Sequence, residues 1–283
     1  MQPPSIVITG ASTGIGKACA LHLSRAGFRV FAGVRREEDG ERLRSESSEG
    51  ITPIFVEVTD QGSIERAARA VDEAVGPDGL FGLVNNAGIS VPGPLEILPI
   101  EGLRRQLDVN VVGQIAVIQS FAPLIRRARG RILLMGSILG RFALPFLGAY
   151  SAAKFALEAL ADSLSMELAG SGVSVSIIEP GSIATPIWTK TREGFLEMGQ
   201  AHPEKAWADY WAELELFGKR MDRFASTGIS PERVAAVVER ALRSRRPRAR
   251  YPVGRDSSIF GRLAPLLPGR LRQRIVRKDI LRK

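Results

Sequence analysis

The chain has 283 residues, of which 45% are hydrophobic and one is cysteine, with a formal net charge of +9. That length supplies one large core, and the lone Cys19 excludes an internal disulfide framework and fits a reducing, cytoplasmic setting. The charge excludes less than it first suggests: residues 240–283 carry +13 and the 239 residues before them carry −4, so basicity belongs to the C-terminus and not to the fold.

Met1–Pro4 precede the first apolar run and are too short for a signal peptide. No uninterrupted apolar run approaches the roughly 20 residues of a membrane-spanning helix. The first expected strand is Ser5–Thr9, which runs into "TGASTGIG" at 9–16. Gly10, Gly14 and Gly16 let the backbone turn tightly, and the following "KACALHLSRAG" would present a helix N-terminus. Strand, glycine turn and helix at the first β-α position read as a cradle for a pyrophosphate. Cys19 and His22 fall on that helix and read as structural.

Further strands are expected at Arg29–Gly33, Thr52–Val56, Leu80–Asn85, Arg131–Gly136 and Val173–Glu179. Glu41–Gly50 reads as a polar turn region and Gly76–Gly79 as punctuation before the fourth strand. Each interval between strands can hold a crossover helix, which predicts an α/β fold with a doubly wound, parallel, Rossmann-like sheet. After Pro180 the alternation stops. Residues 184–226 gather Trp188, Trp207 and Trp211 with Phe195, Tyr210 and Phe217, and read as a lid-like excursion within one domain spanning 1–283. Ser230–Leu242 returns to helix, with Ser230 as N-cap, Pro231 at the first helical position, and Val234, Val237 and Val238 on one face. The basic tail occupies about 243–283.

Tyr150 and Lys154, in "YSAAK", stand at i and i+4 and share a helix face. A cation about 4 Å from a phenol, at an effective dielectric of about 20, favours phenolate by roughly 4 kcal/mol. The pair therefore reads as a proton-transfer group. Ser137, at the C-terminal end of a strand, is placed to donate to a carbonyl oxygen. His22 and His202 have no clustered partners, so no metal site is expected.

"TGASTGIG" (9–16), "NNAG" (85–88), Asn110 in "LDVNVVG", Ser137 in "ILLMGS", "YSAAK" (150–154) and "PG" (180–181) resemble, in order and spacing, the short-chain dehydrogenase/reductase family. The resemblance covers residue 5 to about 186, plus the helix near 231–242. It implies a nicotinamide-dependent oxidoreductase of CH–OH and C=O groups with Asn110, Ser137, Tyr150 and Lys154 as the catalytic set, Asn110 holding a water in a proton relay. It also implies cofactor contacts at Gly10, Ser12, Thr13, Gly14, Ile15, Gly16, Glu57, Val58, Asn86, Ala87, Gly88, Tyr150, Lys154, Pro180, Gly181, Ile183 and Thr185. Glu57 stands where most relatives have Asp. A homo-oligomer, dimer or tetramer, is implied as well.

The second strand ends "FAGVRRE", with Val34 in place of the acidic residue that binds a ribose diol and Arg35 next to it. Arg35 is placed for a 2′-phosphate, with no carboxylate just before it, so NADP(H) is expected over NAD(H). Two solvated loop arginines are the alternative.

Between Ser137 and Tyr150, "ILGRFALPFLGA" has Arg141 as its only charge, and Leu139, Phe142, Leu144 and Phe146, with Trp188 from the excursion, are expected to line a substrate pocket. Such a pocket suits a bulky hydrophobic secondary alcohol or ketone, steroid-, retinoid- or lipid-like, and "PGSIATPIWTK" looks most like the hydroxysteroid and retinol dehydrogenase branches. Ordinary lid packing or an oligomer contact would also use these aromatics, and a small polar carbonyl remains an alternative substrate. A non-catalytic NADP sensor would be expected to have lost Tyr150 or Lys154; both are present. The tail mixes Ile259, Phe260, Leu263, Leu266, Leu267, Leu271, Ile275, Val276 and Ile280 with arginines, interrupted by Pro265 and Pro268. It reads either as a peripheral contact with an anionic membrane or as apolar residues docked on the domain. No nucleic-acid recognition motif accompanies its charge.

Overall fold

The computed structural model describes residues 3–47, 50–201 and 210–281. Seven strands, Ser5–Ile8 (β1), Arg29–Val34 (β2), Ile51–Phe55 (β3), Gly82–Asn85 (β4), Arg131–Met135 (β5), Ser174–Pro180 (β6) and Arg250–Val253 (β7), form one parallel sheet ordered β3-β2-β1-β4-β5-β6-β7. The helices are Gly14–Arg25 (α1), Glu37–Glu46 (α2), Gln61–Val75 (α3), Ile100–Leu107 (α4), Gly113–Ala128 (α5), Gly148–Leu168 (α6), Pro186–Ala201 (α7), Trp211–Thr227 (α8), Pro231–Arg243 (α9), Arg255–Leu263 (α10) and Gly269–Leu281 (α11).

The central strands are buried almost end to end because helices cover both faces. On one face α1 and α9 enclose Ile6, Ile8, Leu23, Val234 and Val238. On the other, α3, α5 and α6 pack Ile64, Val71, Phe121, Ile125 and Leu157 against Val7, Leu83 and Leu134. The helical run Ile100–Ala128 is long and apolar enough to cross a membrane by composition, yet Val117, Ile118, Phe121, Leu124 and Ile125 lie in this core. Cys19 is fully buried and burial pushes its thiol up to about 12, which leaves it an inert core residue.

Six strands fall where the sequence pattern puts them, with ends shifted by one or two residues. Glu41–Gly50 is different: most of it belongs to α2. Glu37, Glu38 and Asp39 favour that helix's first turn electrostatically, Leu43 buries in the core, and Asp39 pairs with Arg36 and Arg42. The seventh strand lies inside the tail, where "RYPV" carries a proline that an edge position tolerates. Past it, α10 and α11 dock through Ala264, Val276 and Ile280 onto a third apolar cluster with Phe142, Leu144 and Phe217.

Gly113 opens α5 against the loop after β3. A Cβ there would stand 2.5 Å from the Val58 carbonyl oxygen, a backbone atom with little freedom to yield. Alanine gains about 1 kcal/mol in helix propensity, while overpacking costs about 1–3 kcal/mol. Gly113→Ala is therefore expected to lower the urea midpoint of unfolding; a midpoint at or above wild type would mean that the loop has slack.

Candidate active site

The sheet order reverses between β1 and β4, so their outgoing chains part and leave a crevice at the C-terminal ends of the strands. A cavity of about 1100 Å³ opens there. Its floor is the glycine turn. Gly10 and Gly14 adopt φ of +64° and +56°, and a Cβ on Gly16 would lie 2.2 Å from the Gly10 carbonyl oxygen. Thr13 precedes α1 in extended conformation without capping it by its side chain, so the first N–H groups of α1 are left for a ligand. Positive φ, absent side chains and a free helix start fit a dinucleotide pyrophosphate, and Ser12, Thr13 and Ile15 line the same wall.

Thr9, which sequence reasoning places at the end of a strand and the start of the glycine motif without a role of its own, holds this floor to β4. Its Oγ1 accepts the N–H groups of Asn86 (2.9 Å) and Ala87 (3.0 Å) and donates to Asn85 Oδ1 (3.3 Å). The Asn86 amide donates to the carbonyls of Thr9 (3.0 Å) and Gly10 (3.2 Å). Gln114 donates to Ala87 O, and Asn85 donates to Gln114 O at 2.7 Å. Asn86, Ala87 and Gly88 are thus strapped along the cavity. A short threonine at a strand end carries no periodic signal that would expose this role.

Arg35, Glu57 and Val58 line the far end of the cavity. The sequence reading that no carboxylate precedes Arg35 misses a spatial one: Glu57 Oε2 stands 3.6 Å from Arg35 Nη1. Glu57 also accepts from Thr59 N and Thr59 Oγ1, so it is held in place beside the arginine. Pro180, Gly181, Ile183 and Thr185 line the opposite side. Gly181 is packed against Asp256, which accepts from Ser182 N at 2.7 Å.

Ser137, Tyr150 and Lys154 meet at the middle of the cavity. Ser137 caps the turn after β5, accepting from Leu139 N at 3.1 Å, and its hydroxyl lies close enough to the Tyr150 phenol to oppose the upward shift of that group. Lys154 reaches back under the sheet edge to donate to Met135 O at 2.7 Å, with its Nζ 5.4 Å from the centre of the Tyr150 ring. Burial pushes the Tyr150 phenol up to about 12 against the opposing pull of the Ser137 hydroxyl, and burial pulls Lys154 down to about 8. The depressed phenol expected from the spacing is therefore not what this structure has. Asn110 lies in a π-helical turn, Asp108–Val112, inserted between α4 and α5. Its Oδ1 accepts from Ile89 N (2.9 Å) and its Nδ2 donates to Ile89 O (3.0 Å).

Leu139, Phe142, Leu144 and Trp188 line the apolar end of the cavity. Phe146 does not. Its φ of +62° puts it in the left-handed region, and its ring packs edge-on against Phe195, Tyr210 and Phe217 at 6.4, 6.1 and 5.6 Å instead of facing the cavity. Arg141 also turns away. The wall is completed by Phe260, Ile275, Val276 and Ile280 from α10 and α11, residues that the sequence analysis assigned only to the tail. Trp211 is exposed, and Trp207 and His202 lie outside the described residues. Among the described residues no group of three potential metal ligands occurs.

The profile of the family described as short chain dehydrogenase matches residues 4–195. Retinol dehydrogenase 16 of Mus musculus is 38% identical over 271 residues, covering 92% of this chain and 83% of that protein. An NADPH-dependent 3-dehydrocapnine reductase of Ornithobacterium rhinotracheale is 33% identical over 279 residues, covering 97% and 96%. Among solved structures, a short-chain dehydrogenase from Streptomyces avermitilis superposes with a TM-score of 0.77 at 24% identity, covering 99% of this chain and 97% of that one.

Replacing Thr9 by valine keeps the shape and removes the oxygen that two part-buried N–H groups share. Each unsatisfied donor costs about 1–3 kcal/mol, so Thr9→Val is expected to unfold at clearly lower urea than wild type, with Thr9→Ser recovering most of the loss. Equal midpoints for all three proteins would show that the oxygen contributes nothing.

Proposed function

We propose that this chain, which belongs to the short-chain dehydrogenase family and is an oxidoreductase of alcohol and carbonyl groups, interconverts a bulky hydrophobic secondary alcohol and its ketone with NADP(H). The observation that carries this reading is the meeting of Ser137 and Tyr150 on the wall of a cavity that runs from the glycine turn to an apolar end of Leu139, Phe142, Leu144, Trp188 and Ile280. An apolar chamber with one polar reacting spot fits a greasy substrate held by a single oxygen.

In the reductive direction the Ser137 hydroxyl donates to the substrate carbonyl oxygen and the Tyr150 phenol delivers its proton there. With its phenol pushed up to about 12, Tyr150 is protonated at neutral pH, and delivery of that proton depends on the phenolate being stabilised as it forms. Lys154 stabilises the phenolate left behind by its charge and, through Met135 O, keeps the helix against β5. Asn110 holds the Ile89 backbone in the wall and, in this reading, its amide steadies the water that returns a proton through Lys154. Nicotinamide, when bound, supplies the hydride in reduction and accepts it in oxidation.

Arg35 supports NADP(H) by its freedom to meet a 2′-phosphate, and Glu57 opposes it from 3.6 Å. Attraction wins if the arginine turns from a half-exposed carboxylate to a dianionic phosphate. Catalytic efficiency with a panel of hydrophobic ketones is expected to be higher with NADPH than with NADH, and Glu57→Gln is expected to widen that ratio. Tyr150→Phe is expected to lose at least about 100-fold in kcat, the usual worth of a positioned acid. Equal efficiency with both cofactors overturns the NADP(H) assignment, a preference for small polar carbonyls overturns the substrate class, and retained turnover in Tyr150→Phe overturns the mechanism.

The tail supports both sequence readings on its opposite faces. Ala264, Val276 and Ile280 dock inward, while Ile259, Leu263, Leu266 and Leu271 stand exposed among Arg255, Arg262, Arg270 and Arg274 beside the cavity mouth. We infer that this outer face rests on anionic lipid, from which an apolar substrate enters. The protein is expected to float with phosphatidylserine-containing liposomes, and Leu263→Ser with Leu266→Ser to abolish flotation. Wild-type protein that stays at the bottom of the gradient excludes the lipid contact.

A further inference from the structure

Behind the cavity wall lies a cluster of charges that the proposed chemistry does not use. Glu158 and Glu179 are 7% and 5% exposed, and neither lines the cavity. Arg141 bridges them, with Nε 2.8 Å from Glu179 Oε1 and Nη1 3.9 Å from Glu158 Oε2. Arg250 reaches the same Glu158 oxygen at 2.9 Å and Asp162 at 2.8 Å. These are the charged groups facing Glu158 from the four elements around it: the loop after β5, β6, β7 and its own helix α6. Two carboxyl groups so deeply buried are costly, and the arginine between them offsets part of that cost.

Each member is tied to a part of the active site. Arg141 directly follows the turn capped by Ser137, and its N–H donates to Ile138 O at 2.9 Å. Glu158 stands one helical turn beyond Lys154 and two beyond Tyr150 on α6. Glu179 immediately precedes Pro180 and Gly181, and its carbonyl accepts from Ser257 of α10 at 2.7 Å. The turn presses on the helix so closely that a Cβ on Gly140 would lie 3.0 Å from Lys154 O and 3.1 Å from Glu158 Cγ. The apolar neighbours of Arg141 face the substrate end, and the one charge in that loop turns the other way.

We propose that Arg141 is a positioning residue: held between Glu158 and Glu179, it fixes the Ser137 turn against the helix bearing Tyr150 and Lys154, and its grip loosens when Glu158 takes up a proton. The proposal rests on the Ser137–Tyr150 reading of the chemistry. Burial, with the Glu179 charge, raises Glu158 to about 7 despite Arg250 and Arg141, which puts the change within the working range of pH. Below about 7 the carboxyl is neutral and one arm of the clamp is lost; above it both carboxylates hold the guanidinium.

The test compares wild type, Arg141→Gln, Arg141→Lys and Glu158→Gln with Tyr150→Phe as reference, in ketone reduction from pH 5.5 to 8.5. Arg141→Gln is expected to lower kcat about tenfold with the KM for the dinucleotide unchanged, and Arg141→Lys to recover part of it. Wild-type kcat is expected to fall as pH drops through about 7, and Glu158→Gln to sit at the low plateau throughout. A thermal-melt series without cofactor gives an independent reading. A carboxyl raised in the fold from about 4.5 stabilises most at low pH, so wild type should lose stability relative to Glu158→Gln as pH rises from about 4.5 to about 7. Full kcat in Arg141→Gln, or identical pH profiles for wild type and Glu158→Gln, overturns the clamp. Retained turnover in Tyr150→Phe instead overturns the chemistry on which the clamp was placed.

Discussion

The parting of β1 from β4 is the constraint on which the rest of this structure depends. The sheet continues on both sides of that seam, but the chain leaving β1 turns into α1 on one face and the chain leaving β4 runs to the other. A crevice is left that no main chain crosses, and polar backbone on its rim has to find partners. Thr9, Asn85, Asn86 and Gln114 supply them across the seam. This explains why Gly16 has no room for a side chain: the Gly10 carbonyl and the Asn86 amide already occupy the place. The cavity is a by-product of topology, and the hydrogen bonds give it a rigid floor.

Rigidity and burial also decide the electrostatics of the proton-transfer pair. If attraction between phenolate and ammonium dominated, Tyr150 would fall and Lys154 would rise. Both move the other way, to about 12 and about 8. That pattern is the signature of desolvation, which penalises each charged form separately and reaches about 3–5 pKa units for fully buried groups. The roughly 4 kcal/mol of attraction estimated for unit charges about 4 Å apart needs the ammonium next to the phenolate oxygen, whereas here Nζ is committed to Met135 O. A phenol pushed up to about 12 keeps its proton at neutral pH and is a weak acid, so any charge left on its oxygen would have to be stabilised by its surroundings.

Sequence spacing made the sheet, the glycine turn and the Ser137–Tyr150–Lys154 group legible because each depends on local rules: β-branched runs, positive φ at glycine, an i,i+4 face. What it could not show is set by neighbours distant in sequence. Glu57 reaches Arg35 only because β3 pairs with β2. Phe146 looks like a pocket residue from composition, and its left-handed backbone swings it into a ring cluster built from the excursion. Glu41–Gly50 reads as a polar turn by composition, and only the fold shows Leu43 buried in the core as part of α2. Arg141 is the only charge in an apolar loop, and its meaning depends on a strand, β7, too short and too broken by proline to read in advance.

The substrate end follows a different logic from the cofactor end. Residues that match the family profile stop at 195, whereas Phe260, Ile275, Val276 and Ile280 come from beyond it. The floor of the cavity is held by hydrogen bonds between side chains and backbone. This wall is held by apolar docking and by surface ion pairs, Arg277 with Glu213 and Arg220 with Asp279, both bonds 2.7 Å long. Partly exposed pairs of that kind contribute about 0–1 kcal/mol each, so the buried docking of Ala264, Val276 and Ile280 is what chiefly holds this wall. The cavity is thus fixed by polar bonds at its glycine turn and by apolar packing at its other end.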